Sequence, residues 1–202
     1  MALRRLLIAG LAALCTIGSV ARANADEWIE VEGTNRDATL DVKLTNPLGN
    51  GFGYFARHRS TVDYENQYNP FTVADLTFGL VGGVDAVAEG QFTLMGFDPR
   101  FGLQAYTKLG GLSLYGLITA NRDQNAEAII DAKYTAPIDE NITLFSEVEA
   151  VANGSKEGLA FTIQRGRLGV GVNGFEFAAA VDCTETGDNL EPDCVYGIAI
   201  RK

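Results

Sequence analysis

The chain has 202 residues, with 26 Asp and Glu against 16 Lys and Arg and a net charge of −10. This balance excludes electrostatic binding to nucleic acid or to an anionic surface, and a single histidine excludes a His-rich metal site. The length suits one domain with a sizeable core.

Residues 1–25 read as an export leader. Arg4 and Arg5 form a basic start, Leu6 to Val20 is apolar without a charge, and Ala23-Asn24-Ala25 is a small-x-small cleavage site. The apolar run is shorter than the roughly 20 residues of a spanning helix. Leu14 precedes Cys15 where a lipoprotein would carry a small residue, so a lipid anchor is set aside. The leader holds Arg4, Arg5 and Arg22 and no acidic residue, so the chain from Asp26 onward is more acidic than the whole.

Downstream of residue 25 no helical period or linker appears. Segments of about ten residues alternate apolar and polar side chains and end in turn residues, the pattern of antiparallel strands. Trp28 to Gly33, Ala38 to Asn46 and Gly51 to Ser60 are the first three. In "FTVADLTFGLVG" Ala74, Leu76, Phe78 and Leu80 oppose Val73, Asp75, Thr77 and Gly79. In "VDAVAEGQFTLMG" Ala86, Ala88, Phe92 and Leu94 oppose Val87, Glu89, Gln91 and Thr93. In "FGLQAYTKLG" Phe101, Leu103, Ala105 and Leu109 oppose Gly102, Gln104, Tyr106 and Lys108. "LSLYGLITA" is ambiguous in phase. "AEAIIDAKYTA" carries Asp131 and Lys133 on its polar face, and "NITLFSEVEAV" carries Glu147 and Glu149. In "RGRLGVGVNGFEFAAAVDC" Leu168, Val170 and Val172 oppose Arg165, Arg167, Gly169 and Gly171. The Asn173-Gly174 pair there predicts a type I′ hairpin, with Phe175 and Phe177 on the apolar face of the return strand.

Cys183 and Cys194 are the two cysteines beyond the leader, and an exported compartment lets them pair. The alternative is two free thiols. They flank "TETGDNLEPD", which lacks the ordered spacing of an EF-hand and reads as a solvated external loop rather than a calcium site. The connections from Gly82 onward alternate short ("GGV", "GG", "NG") and longer ("GFDPR", "NRDQN", "NGSKEG", and the loop between the cysteines), with "PIDEN" between. Outer-membrane barrels show such a rhythm, with tight periplasmic turns and longer external loops.

On these features the chain resembles a small Gram-negative outer-membrane β-barrel, porin-like in architecture and of no single family. The resemblance implies an all-β, antiparallel, up-and-down transmembrane barrel over residues 26–202. It would have about twelve strands, or ten if the first hairpin is a plug. It also implies location in the outer membrane after export, contact with lipid, and no cofactor. One departure is that such barrels commonly end on an aromatic residue, whereas this chain ends "VYGIAIRK" with Tyr196 the nearest aromatic. In such a barrel Leu168, Val170, Phe175 and Phe177 face lipid. Asp75, Glu89, Lys108, Asp131, Lys133, Glu147, Glu149, Arg165 and Arg167 then face the lumen, with Glu176 and Asp182, and can pair across it, while inner-face glycines leave room in a narrow bore. The implied function is non-enzymatic: a narrow channel for small solutes, or a structural membrane protein. The alternative architecture is a soluble periplasmic lipid-binding barrel of inverse polarity, with the charged faces in solvent.

No phosphate-binding loop, zinc motif or cysteine quartet occurs. The pair Glu147 and Glu149 reads as structural ion pairing rather than acid–base catalysis. "FARHRST" places His58 and Ser60 on one strand face, in phase with Phe52, Tyr54 and Ala56. This pair resembles the active sites of outer-membrane phospholipases and lipid A deacylases, in which His activates Ser against an acyl ester. Those families usually follow the Ser with Asn, where this chain has Thr61. The resemblance implies an acyl hydrolase as the alternative function.

Overall fold

The computed structural model describes residues 26–65, 67–187 and 189–202, so the leader assigned to residues 1–25 lies outside it. The described chain forms twelve strands: β1 (Asp26–Thr34), β2 (Asp37–Gly49), β3 (Phe52–Asp63), β4 (Tyr68–Val81), β5 (Val84–Thr93) and β6 (Gly96–Leu109), then β7 (Leu112–Asn121), β8 (Ala126–Pro137), β9 (Ile142–Ser155), β10 (Gly158–Val172), β11 (Phe175–Thr186) and β12 (Asn189–Arg201). Each pairs antiparallel with its sequence neighbours, and β1 pairs with β12 to close a barrel. The count is twelve, and the first hairpin is part of the wall rather than a plug.

Turn chemistry sets the register. Asn173 and Gly174 take φ values of 53° and 81°, the double positive φ of a type I′ turn. The hairpin around them stacks Arg165 opposite Asp182 and Leu168 opposite Ala179. Gly82 and Gly83 do the same for β4 and β5. The start of β1, the end of β12 and the turns 50–51, 82–83, 110–111, 138–141 and 173–174 lie at one rim. The expected rhythm of short and long loops does not survive, because connections at both rims span two to four residues. Gly96 to Arg100 belongs to β6, and the segment between the cysteines continues β11 as far as Thr186 and β12 from Asn189 onward. Polar, turn-prone residues extend the ladder there because pairing satisfies every backbone group that a loop would leave open.

The two faces of the wall differ sharply. Leu76, Phe101, Leu103, Ile118, Ile130, Val148, Leu168, Phe177 and Ile198 are exposed on the outside. Glu30, Glu32, Asp41, Asp75, Glu89, Arg100, Glu127, Glu149, Arg167 and Arg201 are buried inside. A soluble lipid-binding barrel needs the opposite, an apolar bore under a polar surface, so that alternative does not fit. The ambiguous β7 turns Ser113, Tyr115, Leu117 and Thr119 inward, since Tyr115 stands opposite Asp131 and Thr119 opposite Glu127. Phe145, 2% exposed, fills part of the bore over Ala178, Ala180 and Ala199. Gly169 has a different role from the expected one of opening the bore. A Cβ there would stand 2.0 Å from the Phe177 carbonyl oxygen, so glycine lets β10 and β11 approach closely.

Candidate functional site: the lumen and a polar patch on the outer wall

The period-two alternation of β1, β2, β3 and β8 to β12 delivers charged side chains to the bore, where they interlock. Arg57 Nη2 donates to Asp41 Oδ2 at 2.5 Å, and Arg57 Nη1 reaches Glu149 Oε2 at 3.5 Å. Arg59 Nη2 lies 3.4 Å from Asp182 Oδ2. Arg165 donates to Glu149, and its Nε is 3.4 Å from Asp182 Oδ2. Arg167 joins Glu32 Oε2 at 2.5 Å and Asp182 Oδ1 at 2.6 Å. Arg201 pairs with Glu176 and, at 2.6 Å, with Glu147, while Lys133 Nζ donates to Glu176 Oε1 at 2.7 Å.

The distances across the ring matter most. β3 and β9 are six strands apart by either route around the barrel, so Arg57 and Glu149 come from opposite walls. The bore is bridged at this level by ion pairs. Below the bridge, at the rim holding the chain ends, a vestibule of about 450 Å³ is lined in part by Trp28, Lys133, Glu176, Arg201 and Lys202. Trp28 sits under two cations, with Lys43 Nζ 4.2 Å and the Arg201 guanidinium 5.4 Å from its ring.

The wall of β4, β5, β7 and β8 is different. Gln91 Nε2 donates to Glu89 Oε1 at 2.9 Å and to Glu127 Oε1 at 3.0 Å, and Thr119 Oγ1 donates to Glu89 at 3.3 Å. Arg100, in register with Glu89, turns its Nε to Asp98 at 2.9 Å. Among the described residues Asp75, Glu89 and Glu127 have no ion pair within 4 Å, which makes this wall an acidic lane beside the bridged one.

Of the residues singled out in the sequence, Lys133, Glu147, Glu149, Arg165 and Arg167 lie in the interlocked network. Asp131 stands opposite Glu149 and Tyr115. Asp75 and Glu89 lie on the acidic lane. Lys108 is apart from both, exposed near the 110–111 turn in register with Ser113. Glu30, Glu32, Asp41, Lys43, Arg57, Arg59, Arg100, Glu127 and Arg201 were not picked out. The signal was present: Glu30 and Glu32, Asp41 and Lys43, and Arg57 and Arg59 are each spaced by two. Cys183 and Cys194 stand directly opposite each other on β11 and β12 and form a disulfide.

No family model matches the chain, and no curated protein matches it in sequence. Among solved structures it is similar to the KdgM porin in complex with disordered oligogalacturonate, at 10% identity over 88% of this chain and 97% of that one, with a TM-score of 0.50. The fold is that of a porin-like outer-membrane barrel. The NanC porin is also similar, at 10% identity over 87% and 98% of the two chains and a TM-score of 0.49. LpxR from Salmonella typhimurium shows 9% identity over 88% and 99%, with a TM-score of 0.46.

On this porin-like barrel, His58 and Ser60 face outward, away from the network. His58 Nε2 is 2.7 Å from Ser60 Oγ, and His58 Nδ1 is 2.8 Å from the Oγ1 of Thr72. The Tyr68 hydroxyl lies 3.2 Å from Ser60 Oγ. Thr72 was missed in the sequence because it joins the pair through the register of β4 against β3, fourteen residues along the chain.

Proposed function

We propose that the protein is a narrow outer-membrane channel whose bore is gated by side chains, passing small charged solutes and cations ahead of anions. The observation that carries this reading is the contact of Arg57 with Glu149 from opposite walls. A barrel with a purely structural role can fill its bore with apolar side chains at no electrostatic cost. Charges withdrawn from water cost several kcal/mol each unless paired, and ionisable groups at membrane depth mark solute pathways. An ion-pair bridge closes the bore at rest and opens when one pair is exchanged for water or for a solute ion. The acidic lane of Asp75, Glu89 and Glu127 supplies the cation preference. On this reading residues 1–25 direct export and the mature chain starts at Asp26.

The experiment is single-channel recording in planar bilayers on wild type and on Arg57→Ala with Glu149→Gln, both checked for folding by fast gel migration before boiling. Wild type is expected to conduct weakly with cation selectivity, and the double variant to conduct several-fold more, because it loses the bridge and keeps the charge balance. Absence of conductance in both proteins overturns the channel reading and leaves the structural one.

A further inference from the structure

We propose that Ser60, His58, Thr72 and Tyr68 form a nucleophilic site on the outer wall that cleaves acyl esters of membrane lipids. This activity is separate from the channel and uses none of its residues. The strands create the site directly. His58 stands opposite Thr72 in the β3–β4 ladder, and Ser60 lies two residues along from His58 on the same face. Tyr68, two residues before the Pro70 that pairs with Ser60, leans back over it.

Four polar side chains on a lipid-facing wall are costly, and a barrel strand carries Val or Leu there at no loss. Their neighbours follow that rule. Leu40 stands opposite Ser60 and Val42 opposite His58 on β2, and Phe92 stands opposite Thr72 on β5. The patch is therefore a polar island in an apolar surface. Ser60 lies three residues before the end of β3, about 10 Å along the strand from the rim. That places it near the boundary of acyl chains and headgroups, where lipid ester carbonyls lie and water reaches.

The hydrogen bonds form a directed chain. With Nδ1–H donating to Thr72 Oγ1, the Nε2 lone pair accepts the Ser60 hydroxyl proton. Ser60 Oγ attacks the ester carbonyl carbon as its proton passes to Nε2, and the Tyr68 O–H donates to the developing oxyanion. Collapse breaks the ester C–O bond, and the imidazolium proton goes to the departing alcohol. Water then attacks the acyl-serine and gives its proton to Nε2. The fatty acid leaves and Ser60 regains its proton. Thr72 touches no substrate and is a positioning residue that fixes the histidine tautomer.

The test uses the full-length folded protein in mixed micelles of phosphatidylcholine and detergent, with release of fatty acid and labelling by a fluorophosphonate as readouts. Wild type is expected to release fatty acid and to be labelled at Ser60. Ser60→Ala and His58→Asn should each lower turnover at least 100-fold while keeping fast migration before boiling and wild-type conductance. Thr72→Val should lower kcat about tenfold at unchanged KM, and Thr72→Ser should restore it. No fatty acid release above the Ser60→Ala background together with no label at Ser60 in the wild type overturns the proposal, and leaves the conductance result to judge the channel.

Discussion

Replacing Arg167 by Met keeps the aliphatic stem and removes a charge that three carboxylates of the network share. The Arg167 side chain is 5% exposed and serves Glu32, Asp182 and, at 3.8 Å, Glu30. Without it, Glu32 loses its close cation, Glu30 keeps Arg201 at 3.8 Å, and Asp182 keeps only the longer contacts to Arg59 and Arg165 at 3.4 Å. Breaking a buried pair by removing one partner costs about 3–5 kcal/mol, because the remaining charge stays withdrawn from water. We expect a loss in that range for Arg167→Met. Restoring charge balance with Glu32→Gln in the same chain should recover about 1–3 kcal/mol as a coupling energy. The assay is urea unfolding in phospholipid vesicles, with linear extrapolation, followed by the fluorescence of Trp28, the chain's single tryptophan and a neighbour of Arg201 in the bore. A loss below about 1 kcal/mol, the scale of exposed pairs, would refute the reasoning, since it would mean that water already screens these carboxylates.

Three further outcomes are expected. Cys183→Ser with Cys194→Ser removes a cross-strand link whose closed loop is worth about 3 kcal/mol on a chain-entropy basis, readable as a lower urea midpoint of the oxidised wild type's counterpart and matched by reduction of the wild type. Gly169→Ala forces a Cβ to within 2.0 Å of a backbone oxygen, so β10 and β11 must separate; a cost of about 1–3 kcal/mol and a lower yield of heat-modifiable protein should follow. At the seam of β1 and β12, outside the apolar belt, Arg36 holds the Asp193 carboxyl below its usual range through a hydrogen bond and its charge. A lowered folded value means that the pair contributes at neutral pH and is lost as pH falls through that value. The difference in thermal midpoint between wild type and Asp193→Asn should therefore be present at pH 7 and shrink as the pH falls below the ordinary aspartate range.

The alternation of β10 and β11 was enough to place Arg165 and Arg167 on one face and Leu168, Val170, Phe175 and Phe177 on the other. Side-chain direction in a strand repeats every two residues, and Asn173-Gly174 admits one tight hairpin geometry. The same two local rules made the antiparallel succession and the polarity of the wall legible. The loop rhythm misled, because turn-prone composition between Cys183 and Cys194 does not distinguish an open loop from a paired extension of the strands. What the tertiary structure alone decided is which charges meet. Arg57 and Glu149 are 92 residues apart and belong to strands that never pair, so no local periodicity relates them. Their contact depends on ring closure between β1 and β12, which fixes the width of the bore and the level at which each inward side chain enters it. Thr72 reaches His58 for a related reason on a smaller scale. The alternation of β4 sets its face, but only the register of β4 against β3 sets its height beside His58.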